Sequence, residues 1–130
     1  MGYKVCGALL TINLRVPTPL HQLISEKKFE GFRDGLEARF RVNHLTFSVT
    51  YSEGSINPSL YVRLEGAERL GDICAWEGGD CDLNVVVVSD GQMKSKHIRL
   101  ASAEEFHDHL AALFRFVANR QLPTDDLGKV

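Results

Sequence analysis

Hydrophobic positions along this chain repeat first at helical spacing, then at every second residue, then at helical spacing again. Leu20, Leu23, Ile24, Phe32, Leu36 and Phe40 recur on one stripe, supported by Phe29. That spacing predicts an amphipathic helix over residues 19–41. Thr18 is placed to cap it, with Pro19 at the first helical position, and Arg41 suits its C-terminal end. Gly31 and Gly35 weaken this helix, each by about 1 kcal/mol relative to alanine.

The period then changes to two. Leu45, Phe47, Val49 and Tyr51 alternate with His44, Thr46, Ser48 and Thr50, as in a half-buried strand. After a turn over 52–57, Leu60, Val62 and Leu64 alternate with Tyr61, Arg63 and Glu65. A third strand is predicted from about Arg69 to Trp76, and a fourth from Cys81 to Val88. Between them Glu77-Gly78-Gly79-Asp80 reads as a tight hairpin, because paired glycines accept positive φ angles. The valine run Val85–Val88 suggests a strand covered on both faces. Asp90-Gly91 turns the chain again into a fifth strand, Met93 to Leu100.

The closing element starts at Ser102-Ala103-Glu104-Glu105, a capping box in which serine and the second glutamate serve orphan amides. Phe106, Leu110, Leu113, Phe114 and Val117 form its apolar stripe. Helix, antiparallel meander, helix implies an α+β fold: about five strands with two amphipathic helices packed on one face. One domain over 1–130 is expected, with an uncertain lead over 1–16 that reads as strand or helix entry. A polar tail, 120–130, is expected to fray.

Composition narrows the function classes. The 130 residues are 44% hydrophobic and 25% charged, enough to bury roughly two thirds of the unfolded surface. Fifteen basic against 17 acidic residues give a charge of −2, so no basic excess is present for a phosphate backbone. No apolar run is long enough to span a membrane. Lys4 precedes an apolar run, Val5–Leu14, broken by Thr11 and Asn13 and followed by no small-residue cleavage site. The expectation is a cytoplasmic protein with no nucleic-acid or membrane partner.

Candidate chemistry is sparse. Cys6, Cys74 and Cys81 stand at no metal-ligand spacing. Cys74 and Cys81 flank the hairpin, where a disulfide is conceivable and buried thiols are the commoner outcome. His107 and His109 lie two apart on a helix, hence on different faces, and the other histidines are scattered, so no metal set assembles. Asp80-Cys81-Asp82 puts two carboxylates on one strand face, a pattern met at metal sites and far more often on plain polar faces. No cofactor loop is present, because Gly78-Gly79 joins two strands instead of opening a helix. Trp76 reads equally, by spacing, as a cap on the core or a binding anchor. Its acidic neighbours Glu77, Asp80 and Asp82 favour the anchor, since aromatic residues ringed by polar groups typify interface hot spots. If Leu60, Val62 and Leu64 face the core, Tyr61 and Arg63 join Thr46, Ser48 and Thr50 on the open sheet face. A binding protein is therefore expected, and not an enzyme.

Three segments carry a resemblance. Asn57-Pro58-Ser59-Leu60-Tyr61-Val62, the hairpin Trp76 to Asp82 read as Trp-x-Gly-x-Asp-x-Asp, and Ser102-x-x-Glu105 occur in an order and spacing that resembles the TriTu family of bacterial immunity proteins. The likeness spans roughly residues 56–118. The chain departs in having Gly78-Gly79 where the family more often has a small polar residue and a glycine, and in a longer N-terminal lead. The resemblance implies an antidote to an Rhs-type polymorphic toxin of type VI secretion, whose C-terminal ADP-ribosyltransferase modifies elongation factor Tu. It implies neutralisation by binding and occlusion, with no cofactor and no catalytic residue. Candidate toxin contacts are Trp76, Glu77, Asp80, Asp82, Tyr61 and Arg63. Two other classes remain open: a small secretion chaperone or adaptor, and a cysteine-dependent enzyme using Cys74 or Cys81.

Overall fold

Alternation along five successive strands builds one antiparallel sheet whose two faces differ in chemistry. The computed structural model describes residues 17–53 and 56–118. The lead over residues 3–16, the Gly54-Ser55 step of the expected turn and the tail over 119–130 lie outside them. Helices α1 (Leu20–Ile24) and α2 (Glu30–Val42) precede strands β1 (Thr46–Ser52), β2 (Ser59–Glu65), β3 (Arg69–Trp76), β4 (Asp80–Val87) and β5 (Gln92–Arg99); helix α3 (Ala103–Val117) follows. The strands lie in sequence order, the meander expected, and all neighbours are antiparallel.

One face of the sheet carries Leu60, Val62, Leu64, Ile73, Ala75 and Cys81, each fully buried. Phe106, Leu110, Leu113 and Val117 of α3 cover it. Burying each such side chain contributes about 1.5–3 kcal/mol, which makes α3 the main clamp of the fold. Its cap differs slightly from the reciprocal box. Ser102 Oγ accepts from Glu105 N–H at 3.4 Å, while Glu105 Oε1 accepts from Ala101 N–H at 2.9 Å, one residue before the serine.

The helix expected over 19–41 is broken in two. Ile24 and Phe29 are both buried, yet five residues apart they stand about 140° apart on a continuous helix. Lys27 resolves the conflict by adopting a left-handed conformation, φ 54°. Restarting at Glu30 leaves Phe40 as the buried residue of α2, with Phe32 at 53% exposure. Phe32, Leu36 and Phe40 instead line a groove of about 450 Å³ against α3. Thr18 does not cap α1, whose N-cap is Pro19 without a side-chain bond. Thr18 N–H and Oγ1 donate to the two Glu104 oxygens at 3.0 and 2.9 Å, and Ala103 N–H donates to Thr18 O at 2.8 Å. Those bonds tie the entry of α1 to the first turn of α3. The valine run is also corrected: Val85 is buried, Val86 and Val87 are half-buried, and Val88 is 52% exposed. Helices cover one sheet face, so strand β4 is wet on the other.

Candidate functional site: the open sheet face

Register decides which polar residues meet. Pairing of Ser59 with Trp76, Tyr61 with Cys74 and Arg63 with Asp72 puts these six on the face opposite the helices. Cys74 with Asp82 and Asp72 with Asn84 extend the same rows into β4. Asp80 with Arg99, Asp82 with His97 and Asn84 with Ser95 complete them in β5. Side chains two apart share a face. Trp76, Asp80, Asp82, Tyr61 and Arg63 are thus brought together on one surface.

Glu77 is not. It turns towards α1, where Ser25 Oγ donates to it. The hairpin it belongs to is held from a second side by the β1–β2 connection. Asn57 Oδ1 accepts from Gly78 N–H at 3.0 Å, and Pro58 O accepts from Glu77 N–H at 3.0 Å. Gly79 has φ 109°, and a Cβ there would meet Arg99 Nη2 at 3.0 Å and Leu100 O at 3.1 Å. Glycine is required at that position. Two motifs separated in sequence, Asn57-Pro58-Ser59 and Trp76–Asp82, are therefore one physical unit.

Trp76 is half-buried, and among the described residues its indole N–H has no hydrogen-bond partner. Beside it Arg99 donates to Asp80 Oδ1 and to Gly78 O, both at 2.8 Å. His97 Nδ1 lies 2.7 Å from Asp82 Oδ1 and its Nε2 lies 3.4 Å from Asp80 Oδ1. The hydrogen bond to Asp82 holds the His97 pKa above the ordinary histidine value. Farther in, Tyr61 Oη donates to Asp72 at 3.1 Å, and burial raises the Tyr61 pKa. Arg63 Nε donates to Glu65 at 2.6 Å, a bond that raises the arginine pKa. At the far end Leu70, Val86 and Met93 form a row that borders the polar centre with apolar surface.

Asp72, Asn84, Ser95, His97 and Arg99 belong to this face and were not singled out by sequence reasoning. Their signal was there, as the polar phase of the two-residue alternation. What joins them across strands is register.

The cysteines point opposite ways, because Ala75 pairs with Cys81 while Cys74 pairs with Asp82. Cys81 is buried in the core and Cys74 sits on the open face, both as free thiols. Burial raises both pKa values, Cys81 to about 12, which disfavours the thiolate a nucleophile requires. His97 stands two strands from Cys74, about 10 Å by strand spacing. Among the described residues no group of three or more His, Cys, Asp or Glu is placed to hold a metal ion. No helix among them is long and apolar enough to cross a membrane.

The model of the family described as "Immunity protein TriTu" matches residues 19–116. Comparison with curated proteins and with solved structures finds no match. The matched span includes α1, all five strands and all but the last residue of α3.

Proposed function

Because the chain belongs to the TriTu immunity protein family, with an immunity function and a cognate toxin as its partner, we propose that it neutralises an ADP-ribosyltransferase toxin by occlusion. In this reading the toxin is the C-terminal domain of an Rhs-type protein delivered by type VI secretion, and it modifies elongation factor Tu. The antidote acts in the cytoplasm, as a single domain, without catalysis or cofactor.

The observation that carries the contact surface is the gathering of Tyr61, Arg63, Trp76, Asp80 and Asp82 on one sheet face. Stoichiometric inhibition asks for a rigid surface with an aromatic anchor and complementary charge, not for a reactive group. A five-stranded face with strands of seven or eight residues spans about 20 Å by 20 Å. That is the right order for the central part of a contact that buries about 800 Å² per partner. Trp76 supplies the anchor, and the carboxylates suit basic residues around a site that binds anionic NAD.

The test is co-expression with the toxin domain encoded beside its gene. Cells making both should grow, their elongation factor Tu unmodified, and the two proteins should co-purify. Growth arrest with the folded protein present, or rescue without a complex, would reject occlusion.

A further inference from the structure

The groove between α2 and α3 has an apolar floor and a wet rim. Phe40, Leu110 and Phe114 are its buried floor, while Phe32, Leu36 and Ala111 stand along it part-exposed. Its ends differ in charge, with Glu104 and Asp108 towards one and Arg39 and Arg115 towards the other. The described chain enters at the acidic end. Thr18 N–H and Oγ1 donate to the two Glu104 carboxylate oxygens at 3.0 and 2.9 Å, so the segment before Pro17 departs from a fixed point on the groove's own lining.

That segment has the length, the alternation and the charge to fill the groove. The α3 lining runs from Glu104 to Phe114, about 15 Å of helix, a distance that about five residues of extended chain cover. Val16 and Thr18 each precede a proline, which turns a residue away from helical and towards extended backbone. Counting back from Thr18, Val16, Leu14 and Ile12 fall in one phase, and Arg15, Asn13 and Thr11 in the other. Residues two apart share a face of an extended chain, so one edge of this segment is wholly apolar. No charged residue lies between Val5 and Leu14, so the part that reaches Arg39 and Arg115 brings no like charge. Arg15, next to the fixed point, meets the acidic end.

We propose that this groove is the docking site of the chain's own lead, with Ile12, Leu14 and Val16 seated on Phe32, Leu36 and Ala111 and the clamp from Thr18 to Glu104 fixing their register. Tethering gives the segment a high effective concentration, so a contact of three side chains suffices. A groove about 15 Å long between helix axes about 8–10 Å apart is small against the roughly 800 Å² that each partner of a stable complex buries. That size favours a tethered segment over a second copy of the chain. The lead thereby closes the helical side of the molecule and leaves the open sheet face to a partner. The assignment is independent of the toxin's identity.

Two measurements on the full chain test this, with circular dichroism confirming each fold. Fluorescence of anilinonaphthalene sulfonate reports exposed apolar surface, and it should rise about threefold or more in the double variant Ile12→Gln, Leu14→Gln. The double variant Thr11→Gln, Asn13→Gln, changed in the other phase, should match the parent. For placement, Leu14→Cys and Leu36→Cys are combined in a Cys6→Ser, Cys74→Ser background, Cys81 being buried. A short bismaleimide should join the two new thiols within one chain about tenfold more than it joins Leu14→Cys to Thr50→Cys on the opposite sheet face. If Leu36→Cys fails to fold, Ala111→Cys takes its place. Equal crosslinking of the two pairs, or equal dye fluorescence in the two glutamine variants, overturns the inference. Crosslinks found only between chains would seat a second copy in the groove, and a groove thiol alkylated freely until toxin domain is added would seat the toxin there. Either result overturns it as well.

Discussion

Gly71 lies beneath Leu113 and Val117 of α3, and substituting it tests how the helix packs on the sheet. A methyl group at Gly71 would collide with Leu113 Cδ1, reaching within 3.0 Å of Leu113 Cγ and 3.2 Å of Val117 Cγ2. Leu113 is fully buried in an interior of the kind that leaves few voids, so the leucine or α3 itself must shift. Overpacking of this kind costs about 1–3 kcal/mol. Removing a strand glycine returns only about 0.5–1 kcal/mol, so the clash decides the sign. Gly71→Ala should lower stability by about 1–2 kcal/mol, or about 3–8 °C in melting temperature for a chain of this size. Leu113→Ala alone should cost about 2–5 kcal/mol. In the double variant the methyl group enters the space that the leucine vacated. The two changes should then fall short of additivity by about 1 kcal/mol or more. Urea unfolding followed by dichroism and by Trp76 fluorescence measures all three variants. A Gly71→Ala protein as stable as the parent, or strict additivity in the double variant, would refute the reasoning.

Trp76→Ala should weaken toxin binding by at least about 2 kcal/mol if the indole is the anchor; unchanged calorimetric affinity in the folded variant would return Trp76 to a structural role. Cys74→Ser and Cys81→Ala should leave protection of toxin-expressing cells intact, and loss of protection by a folded, toxin-binding variant would revive a cysteine mechanism. His107 packs against Phe29 and Phe32, with ring centroids at 6.1 and 4.5 Å, and burial lowers its pKa below the ordinary histidine value. The folded state therefore binds fewer protons than the unfolded one, so this stabilisation is present above pH 6.5 and is lost as pH falls towards the folded pKa. His97, with its raised pKa, contributes in the opposite sense. His107→Phe should reduce the drop in melting temperature between pH 7.5 and 5.5, and an unchanged drop would remove His107 as its source.

Alternation made the sheet legible from the sequence: Leu60, Val62 and Leu64 had to face one side, which sent Tyr61 and Arg63 to the other. The same rule placed Asp80 and Asp82 together. It failed for α1 and α2, because a helical stripe tolerates one misplaced apolar residue. Nothing local reveals that Lys27 takes φ 54° so that Ile24 and Phe29 can both be buried. Glu77 was grouped with the hairpin carboxylates by nearness in sequence, but Ser25, 52 residues away, draws it to the helical side. The row from Tyr61 to Ser95 was hidden for a related reason. Each member looks like an ordinary polar strand residue, and only the cross-strand register joins them around Asp72.

On the proposed function, titrating the toxin's ADP-ribosylation of elongation factor Tu with the purified protein tests occlusion most directly. At toxin concentrations far above Kd, activity should fall linearly and vanish at one equivalent, without recovery of already modified factor. Full inhibition by a small fraction of an equivalent, or loss of existing modification on addition of the protein, would mark it as an enzyme. Undiminished activity at excess protein would contradict neutralisation itself.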